Sequence, residues 1–155
     1  MDRVRTRGRS LAGVALALLI VLLAQGISVD RASASSDHRR RAHMLSLTND
    51  DRAQRDKAAL KLNAVLSRYA THHSRQMATR GYLFHSADLS SKLKGLDWSI
   101  GGENVGVGST LDGLEDAFMK STPHRKNILG TAFDHAAVGV VHSNGSFWVT
   151  VIFYG

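Results

Sequence analysis

The spacing of apolar positions predicts helices early in the chain and strands at its end. The strongest helical pattern spans Leu60–Arg80, where steps of three and four residues join Leu62, Val65, Leu66, Tyr69, His73 and Met77. Gly81 supplies the stop. Near the end, Ala137–His142 and Phe147–Tyr154 are rich in valine and aromatic residues. They flank Asn144-Gly145, a dipeptide typical of tight hairpin turns, so the two runs predict a β-hairpin.

Weaker patterns predict the remaining elements. Residues 44–57 are expected to form a first helix, and residues 82–110 only short extended pieces, because they are rich in Gly, Ser and Asp. Ser109 or Thr110 is expected to cap a helix with one apolar face, formed by Leu111, Leu114 and Phe118. Pro123 fits the first turn of a further short helix capped by Thr122. Helices followed by strands predict an α+β sandwich in a single domain.

The first 34 residues read as an export signal. A basic start precedes the uncharged apolar run Leu11–Leu23, its charges supplied by Arg3, Arg5, Arg7 and Arg9. Ala32-Ser33-Ala34 fits a small-residue cleavage site, which predicts a signal peptide over 1–34. The alternative is an uncleaved membrane anchor, since 11–29 is almost long enough to span a bilayer. Both predict a domain outside the cytoplasm, secreted or tethered.

Residues 35–43 are expected to be a basic, flexible lead-in to a domain over 44–155. The formal charge of +7 falls to +4 without residues 1–34, because they hold five of the 20 basic and two of the 13 acidic residues, which leaves 15 − 11. Attraction to an anionic membrane or wall surface is predicted for Arg39, Arg40 and Arg41. No aromatic residues alternate with the basic ones, so a nucleic-acid partner is not expected. The chain has no cysteine, which excludes thiolate metal sites and thiol catalysis.

Three polar clusters beside apolar stretches carry the candidate chemistry. They are His85-Ser86, the run Gly101–Gly106 with Glu103 and Asn104, and Ser121–Leu129 with His124. Two imidazoles and one carboxylate are the minimum set for a divalent metal or for acid–base work. Buried polar groups of this kind also serve purely structural networks. His73 is different, because it lies on an apolar helix face and is expected to be a core residue.

In order and type these clusters resemble the CAP superfamily of cysteine-rich secretory, antigen 5 and pathogenesis-related proteins, and above all its bacterial SCP-like domains. The resemblance covers roughly Leu45–Phe153, with a weaker match at Leu45, Asn49 and Arg52. It implies a three-layer α-β-α sandwich with a cleft lined by His, Glu, Glu and His. The first His falls on His85, the first Glu on Glu103 and the last His on His124. Ser121 stands where the family often has its second Glu.

The resemblance implies a secreted domain whose cleft of His85, Glu103, Ser121 and His124 binds a ligand, without established catalysis. The physical prediction for a cofactor is a divalent metal such as Zn²⁺, held by His85, Glu103 and His124. The ligand is expected to be a small molecule, a lipid or a cell-wall component. A metal-dependent hydrolase acting on peptide or cell-wall substrates and a lipid- or sterol-binding module are the alternatives.

Overall fold

A four-stranded sheet organises the chain, in the order β1-β3-β4-β2. The computed structural model describes residues 35–155, of which Asp37–Gly155 form one compact unit. The predicted signal peptide lies outside the described residues. The strands are β1 (Lys61–Leu62), β2 (Gly101–Gly108), β3 (His135–Ser143) and β4 (Ser146–Tyr154). The helices are α1 (35–53), α2 (Ala64–Arg80), α3 (Leu89–Leu93), α4 (Leu111–Lys120) and α5 (Thr122–Ile128).

The two long strands at the centre bury side chains on both faces, and this produces three layers. On β3, Ala136, Val138 and Val140 enter one core, whereas Ala137 enters the other. The first core is shared with α1, α4 and α5, and its residues include Met44, Leu114, Phe118 and Ile128. The second is shared with α2 and α3 through Leu66, Ala70 and Leu93. The predicted α-β-α sandwich in one domain is therefore confirmed.

The hairpin at the end of the chain is also confirmed. Strands β3 and β4 pair antiparallel, with Val138 opposite Val151. The turn residues Asn144 and Gly145 have φ of 50° and 74°, the left-handed pair that a type I′ turn needs. The sheet packs against α2, whose core face carries Ala70, Ser74 and Met77.

Residues 35–110 depart from the sequence prediction at three places. Helix α1 includes residues 35–43, which were expected to be a flexible lead-in, and ends at 53 rather than 57. Arg41 accounts for part of this extension, because its guanidinium donates to the carbonyl of Val138 at 3.0 Å. Helix α2 begins at Ala64 rather than Leu60, since Lys61–Leu62 pairs with β3 as a short parallel strand. Asn63 caps α2 by accepting from the N–H of Leu66.

The third departure lies in residues 82–110, which contain α3 and the eight-residue strand β2. Strand β2 pairs antiparallel with β4 along its whole length. The glycines of β2 give this segment a low strand propensity, so it is not predicted as a strand. They are needed because helix α4 packs closely on β2: a Cβ on Gly106 would lie 2.8 Å from Phe118 and Leu114 of α4. Pairing with β4 and packing against α4, rather than local propensity, therefore determine that this segment is a strand.

Candidate functional site

Glu103 lies on β2 with its carboxylate almost enclosed, its side chain only 5% exposed. The Nδ1 atom of His85 lies 2.8 Å from Oε1, so the imidazole donates to the carboxylate there. Oε1 also accepts from the Ser86 N–H at 2.9 Å, and Oε2 accepts from the Ser86 hydroxyl. The His85-Ser86 segment is therefore anchored on Glu103, and the structure brings two of the three predicted site residues, His85 and Glu103, into contact.

His124 lies in the first turn of α5, where its ring packs edge-on against Phe118 at 5.0 Å between centroids. Burial lowers the pKa of this imidazole from its ordinary 6.5, and the charge of His85 lowers it further. A lowered pKa favours the neutral ring, the form that accepts hydrogen bonds and binds metals.

Two side-chain amides, one buried and one half-buried, tie the second and third sequence clusters together. Asn104 is fully buried, and its Nδ2 donates to the carbonyl of His124 at 3.1 Å. Its Oδ1 accepts from Nδ2 of Asn127 at 2.8 Å, and the same Nδ2 lies 3.3 Å from the carbonyl of Glu103. These bonds hold β2 against α5, so Asn104 and Asn127 position the site rather than face a ligand.

Two local features of the site differ from what their residue types indicate. Two glycines directly before a carboxylate are typical of a tight turn through positive φ, but Gly101 and Gly102 lie within β2 and neither has positive φ. Gly102 is needed for space instead, since a Cβ there would lie 2.7 Å from Oδ1 of Asn127. The N-cap of α5 is Ser121 rather than Thr122, and its side chain forms no capping bond.

Ser121 joins the end of α4 to the start of α5. Its N–H donates to the carbonyls of Ala117 and Phe118, and its own carbonyl accepts from Arg125 at 2.8 Å. The place of Ser121 in the ligand-binding cleft with His85, Glu103 and His124 stays a prediction. Arg125 is exposed and donates to the carbonyl of Met119 at 3.1 Å, a structural contact.

A cavity of about 530 Å³ opens beside His85, between α2 and the segment that follows it. This cavity was not predicted from the sequence. Its aromatic walls are Tyr69 and Phe84, with Lys92 lying 5.0 Å from the first ring and Arg80 lying 4.7 Å from the second. A sequence signal existed, because the polar and aromatic side chains of α2 recur at steps of three and four residues beside its apolar stripe.

His73 forms part of the floor of this cavity and is a core residue, as predicted. It is 3% exposed, and its Nε2 lies 2.9 Å from the carbonyl of Phe84. The ring of Phe84 meets the imidazole edge-on at 4.9 Å between centroids. Because a carbonyl only accepts, this nitrogen carries the proton.

We expect the pKa of His124 to rise toward 6.5 when His85 is replaced by alanine, because one of the two causes that lower it is removed. The rise should be partial, since burial remains. An NMR titration of the imidazole resonances measures it. His142→Ala, which removes an exposed imidazole on β3, should leave the pKa of His124 unchanged. An unchanged pKa in His85→Ala would show that the two rings do not share a cleft.

Comparison with known proteins agrees with this architecture. The sequence profile of the cysteine-rich secretory protein family (CAP) matches residues 45–153, and the chain therefore belongs to that family. The protein YkwD of Bacillus subtilis, which is uncharacterised, is 33% identical over 112 residues, or 68% of this chain and 43% of that protein. The chain thus spans less than half the length of this curated relative.

Solved structures show the same fold. An extracellular protein containing an SCP domain from Bacillus anthracis superposes with a TM-score of 0.64 at 24% identity, over 76% of this chain and 41% of its own. An outer surface protein of Borrelia burgdorferi gives a TM-score of 0.67 at 14% identity, over 75% and 92%. Within residues 35–155, no helix is both long and apolar enough to cross a bilayer.

Proposed function

We propose that this chain is a binding domain that works outside the cytoplasm and holds a ligand beside His85, without catalysis of its own. The observation that carries the proposal is that the imidazole bonded to Glu103 also lines the cavity of about 530 Å³. This volume lies within the range of about 300–1,000 Å³ typical of ligand pockets. The basic, apolar start of the sequence and its Ala-Ser-Ala site support export.

The lining of the cavity favours a ligand with an anionic group. Arg80 and Lys92 supply positive charge above the rings of Phe84 and Tyr69, while Asp88 is the only carboxylate among the described residues that line it. His85 uses Nδ1 for Glu103, so Nε2 is the ring nitrogen that a ligand can meet. A phosphate joined to an apolar or ring-shaped body fits these groups. Lipid headgroups and wall polymers both have this chemistry.

Titration of the purified protein with glycerol 3-phosphate, a unit shared by lipids and wall polymers, tests the proposal. We expect NMR shift changes at Tyr69, Phe84 and His85. Replacing Arg80 with glutamine should weaken binding about tenfold, since a charge-assisted hydrogen bond contributes about 1.5–3 kcal/mol. Arg68→Gln, an exposed change on the same helix, is the matched control. Equal weakening in both variants, or no shift changes at the cavity, would contradict the proposed site.

A divalent metal at His85, Glu103 and His124 stays a prediction. Among the described residues, no group of three or more His, Asp or Glu is arranged to hold a metal ion, and the Glu103 carboxylate is bonded to His85 and Ser86. Zinc binding would need that carboxylate to exchange partners. Calorimetric titration with Zn²⁺ decides the question, because a His-based site must weaken as pH falls from about 7.5 to 5 and must be lost in the double variant His85→Ala/His124→Ala.

Contact with an anionic membrane or wall surface stays a proposal that rests on Arg39 and Arg40. Arg41, predicted as a third contributor, is half-buried and donates to Val138 and Thr71 within the domain. Arg40 lies 3.1 Å from Asp37 and faces the ring of Phe147. Arg39 is exposed.

A further inference from the structure

A second cavity, of about 330 Å³, lies between α1 and α4 on the opposite face of the sheet from α2. Five carboxyl side chains line it: Asp50 and Asp51 from α1, and Asp112, Glu115 and Asp116 from α4. Among the described residues that line it, none is Lys, Arg or His. The domain has a formal charge of +4, so this acidic cavity is a negatively charged region in a protein of net positive charge.

Glu115 is the unusual member of the acidic cavity. It is 3% exposed, and within the part of the chain that the structure describes neither of its carboxyl oxygens has a hydrogen-bond partner. The hydroxyl of Thr48, on α1, is also buried without a bond of normal geometry. Burying a carboxyl group without a partner is unfavourable, and an orphan of this kind in a folded protein needs an explanation such as a bound ion.

The electrostatic surroundings explain the state of this carboxyl. Burial, together with the charges of Asp51 and Asp116, raises the pKa of Glu115 to about 7, although the Thr48 hydroxyl acts in the opposite direction. Two basic residues stand just outside the lining and already have partners: Arg55 lies 2.9 Å from Asp51, and His43 lies 3.1 Å from Asp112. These pairs leave Glu115 as the deepest acceptor, with Asp50 and Asp116 exposed above it.

We propose that the acidic cavity binds a primary ammonium group, with Glu115 as its buried acceptor. An ammonium suits the cavity because it donates up to three hydrogen bonds and needs no acceptor in return. A metal ion held directly by protein suits it less, because no three of these carboxylates are close enough to share one. The group is one that free polyamines and lysine side chains both carry. The proposal is independent of the cavity beside His85.

The test is calorimetric titration of the full chain with cadaverine, with Nα-acetyl-lysine amide and with CaCl₂ as separate arms. Binding of the cation releases the proton of Glu115, so amine affinity should rise about thirty-fold between pH 5.5 and pH 8, as a pKa of about 7 requires. Glu115→Gln is measured at both pH values as the control, and any pH dependence of amine binding that remains in this variant does not come from Glu115.

We expect Glu115→Gln to weaken amine binding at pH 8 by tenfold or more, and Asp97→Asn, which removes an exposed carboxylate elsewhere, to leave it unchanged. Asp116→Asn, an exposed substitution, should weaken binding several-fold and serves if the Glu115 variant does not fold. Binding of cadaverine alone assigns the site to free amines, and binding of the lysine derivative to side chains. No amine binding, equal binding in the Glu115 and Asp97 variants, or tight Ca²⁺ binding lost in Glu115→Gln would overturn the proposal.

A second measurement checks the ionisation on which the proposal depends. Because the folded-state pKa of Glu115 is raised, its stabilising contribution is complete below pH 4.5 and is lost as pH rises through about 7. The denaturation midpoint of the wild type should therefore fall over this range relative to that of Glu115→Gln. Parallel pH profiles for the two proteins would show that Glu115 is not a buried titrating acid, and the proposal would fail.

Discussion

Replacing Arg52 with alanine is expected to remove a large fraction of the protein's free energy of unfolding. This guanidinium is 1% exposed and donates to four carbonyl oxygens: those of Ala58 at 2.7 Å, Ile128 at 2.7 Å, Gly130 at 2.9 Å and Phe133 at 3.3 Å. It thereby ties α1 to the segment that runs from α5 into β3. Hydrogen bonds to charged groups contribute about 1.5–3 kcal/mol each, so the expected loss is about 4 kcal/mol or more. Domains of this size are typically stable by only about 5–15 kcal/mol.

Urea denaturation followed by circular dichroism measures this loss. Arg52→Lys should recover little, because one ammonium cannot span the four carbonyls that the planar guanidinium reaches. Arg68→Ala, an exposed arginine on α2, should change the free energy of unfolding by no more than about 0.5 kcal/mol. A stability of Arg52→Ala within about 1 kcal/mol of the wild type would show that the carbonyls find water or other partners, contrary to this reading.

The role of Arg52 shows what a sequence motif can predict and what it cannot. The weak match at Leu45, Asn49 and Arg52 placed these residues on one helix but gave no reason for them. In the structure the Asn49 side chain makes two hydrogen bonds to the backbone of Leu60, donating to its carbonyl at 3.1 Å and accepting from its N–H at 2.8 Å. Asn49 and Arg52 therefore both bind segments outside their own helix, a role that cannot be inferred from local helix propensity.

The elements predicted well are those whose signal is local. The hairpin of β3 and β4 follows from the β-branched composition and from Asn144-Gly145 alone, and Thr110 caps α4 through its hydroxyl as expected. The elements missed depend on partners far along the chain. Strand β2 has four glycines in eight residues and is held by β4, and β1 is only two residues long and is held by β3. Val65, placed on the apolar stripe of α2, is 66% exposed, because the face of the helix that packs on the sheet carries Leu66, Ala70 and Met77 instead.

The candidate site likewise has residues that the sequence predicts and contacts that depend on distant parts of the chain. Residue type and family order led to His85, Glu103 and His124, and the structure brings the first two into direct contact. The supporting bonds from Ser86 could not be predicted, because they depend on how residues 84–88 meet the edge strand β2. The acidic cavity escaped attention for a related reason. From the sequence alone, the acidic residues on α1 and α4 are expected to lie on solvated helix faces. In the folded protein the two helices pack together and bury Glu115 between them.

Replacing Gly139 with alanine is the second change with a large expected effect. Gly139 lies on β3 directly beneath α2, and a Cβ there would lie 2.1 Å from the backbone carbon of Ala70 and 2.3 Å from its oxygen. Because both sides of the clash are backbone, neither can rotate away. The helix must therefore shift off the sheet, which weakens two buried bonds of α2: Ser74 donates to the Gly139 carbonyl at 3.1 Å, and Ser67 accepts from the Val138 N–H at 3.0 Å.

Overpacking of a filled core costs about 1–3 kcal/mol even where side chains can adjust, so the expected loss for Gly139→Ala is about 3 kcal/mol or more. Gly108→Ala is the matched control, because its Cβ would meet Leu114 at an ordinary 3.5 Å and neither glycine has positive φ. That control should stay within about 1 kcal/mol of the wild type. Chemical denaturation gives both values, and hydrogen exchange of the α2 amides should rise in Gly139→Ala alone. Equal stability of the two variants would show that α2 can move away from β3 freely, which would contradict the close helix–sheet contact that positions Tyr69, His73 and Arg80 around the cavity beside His85.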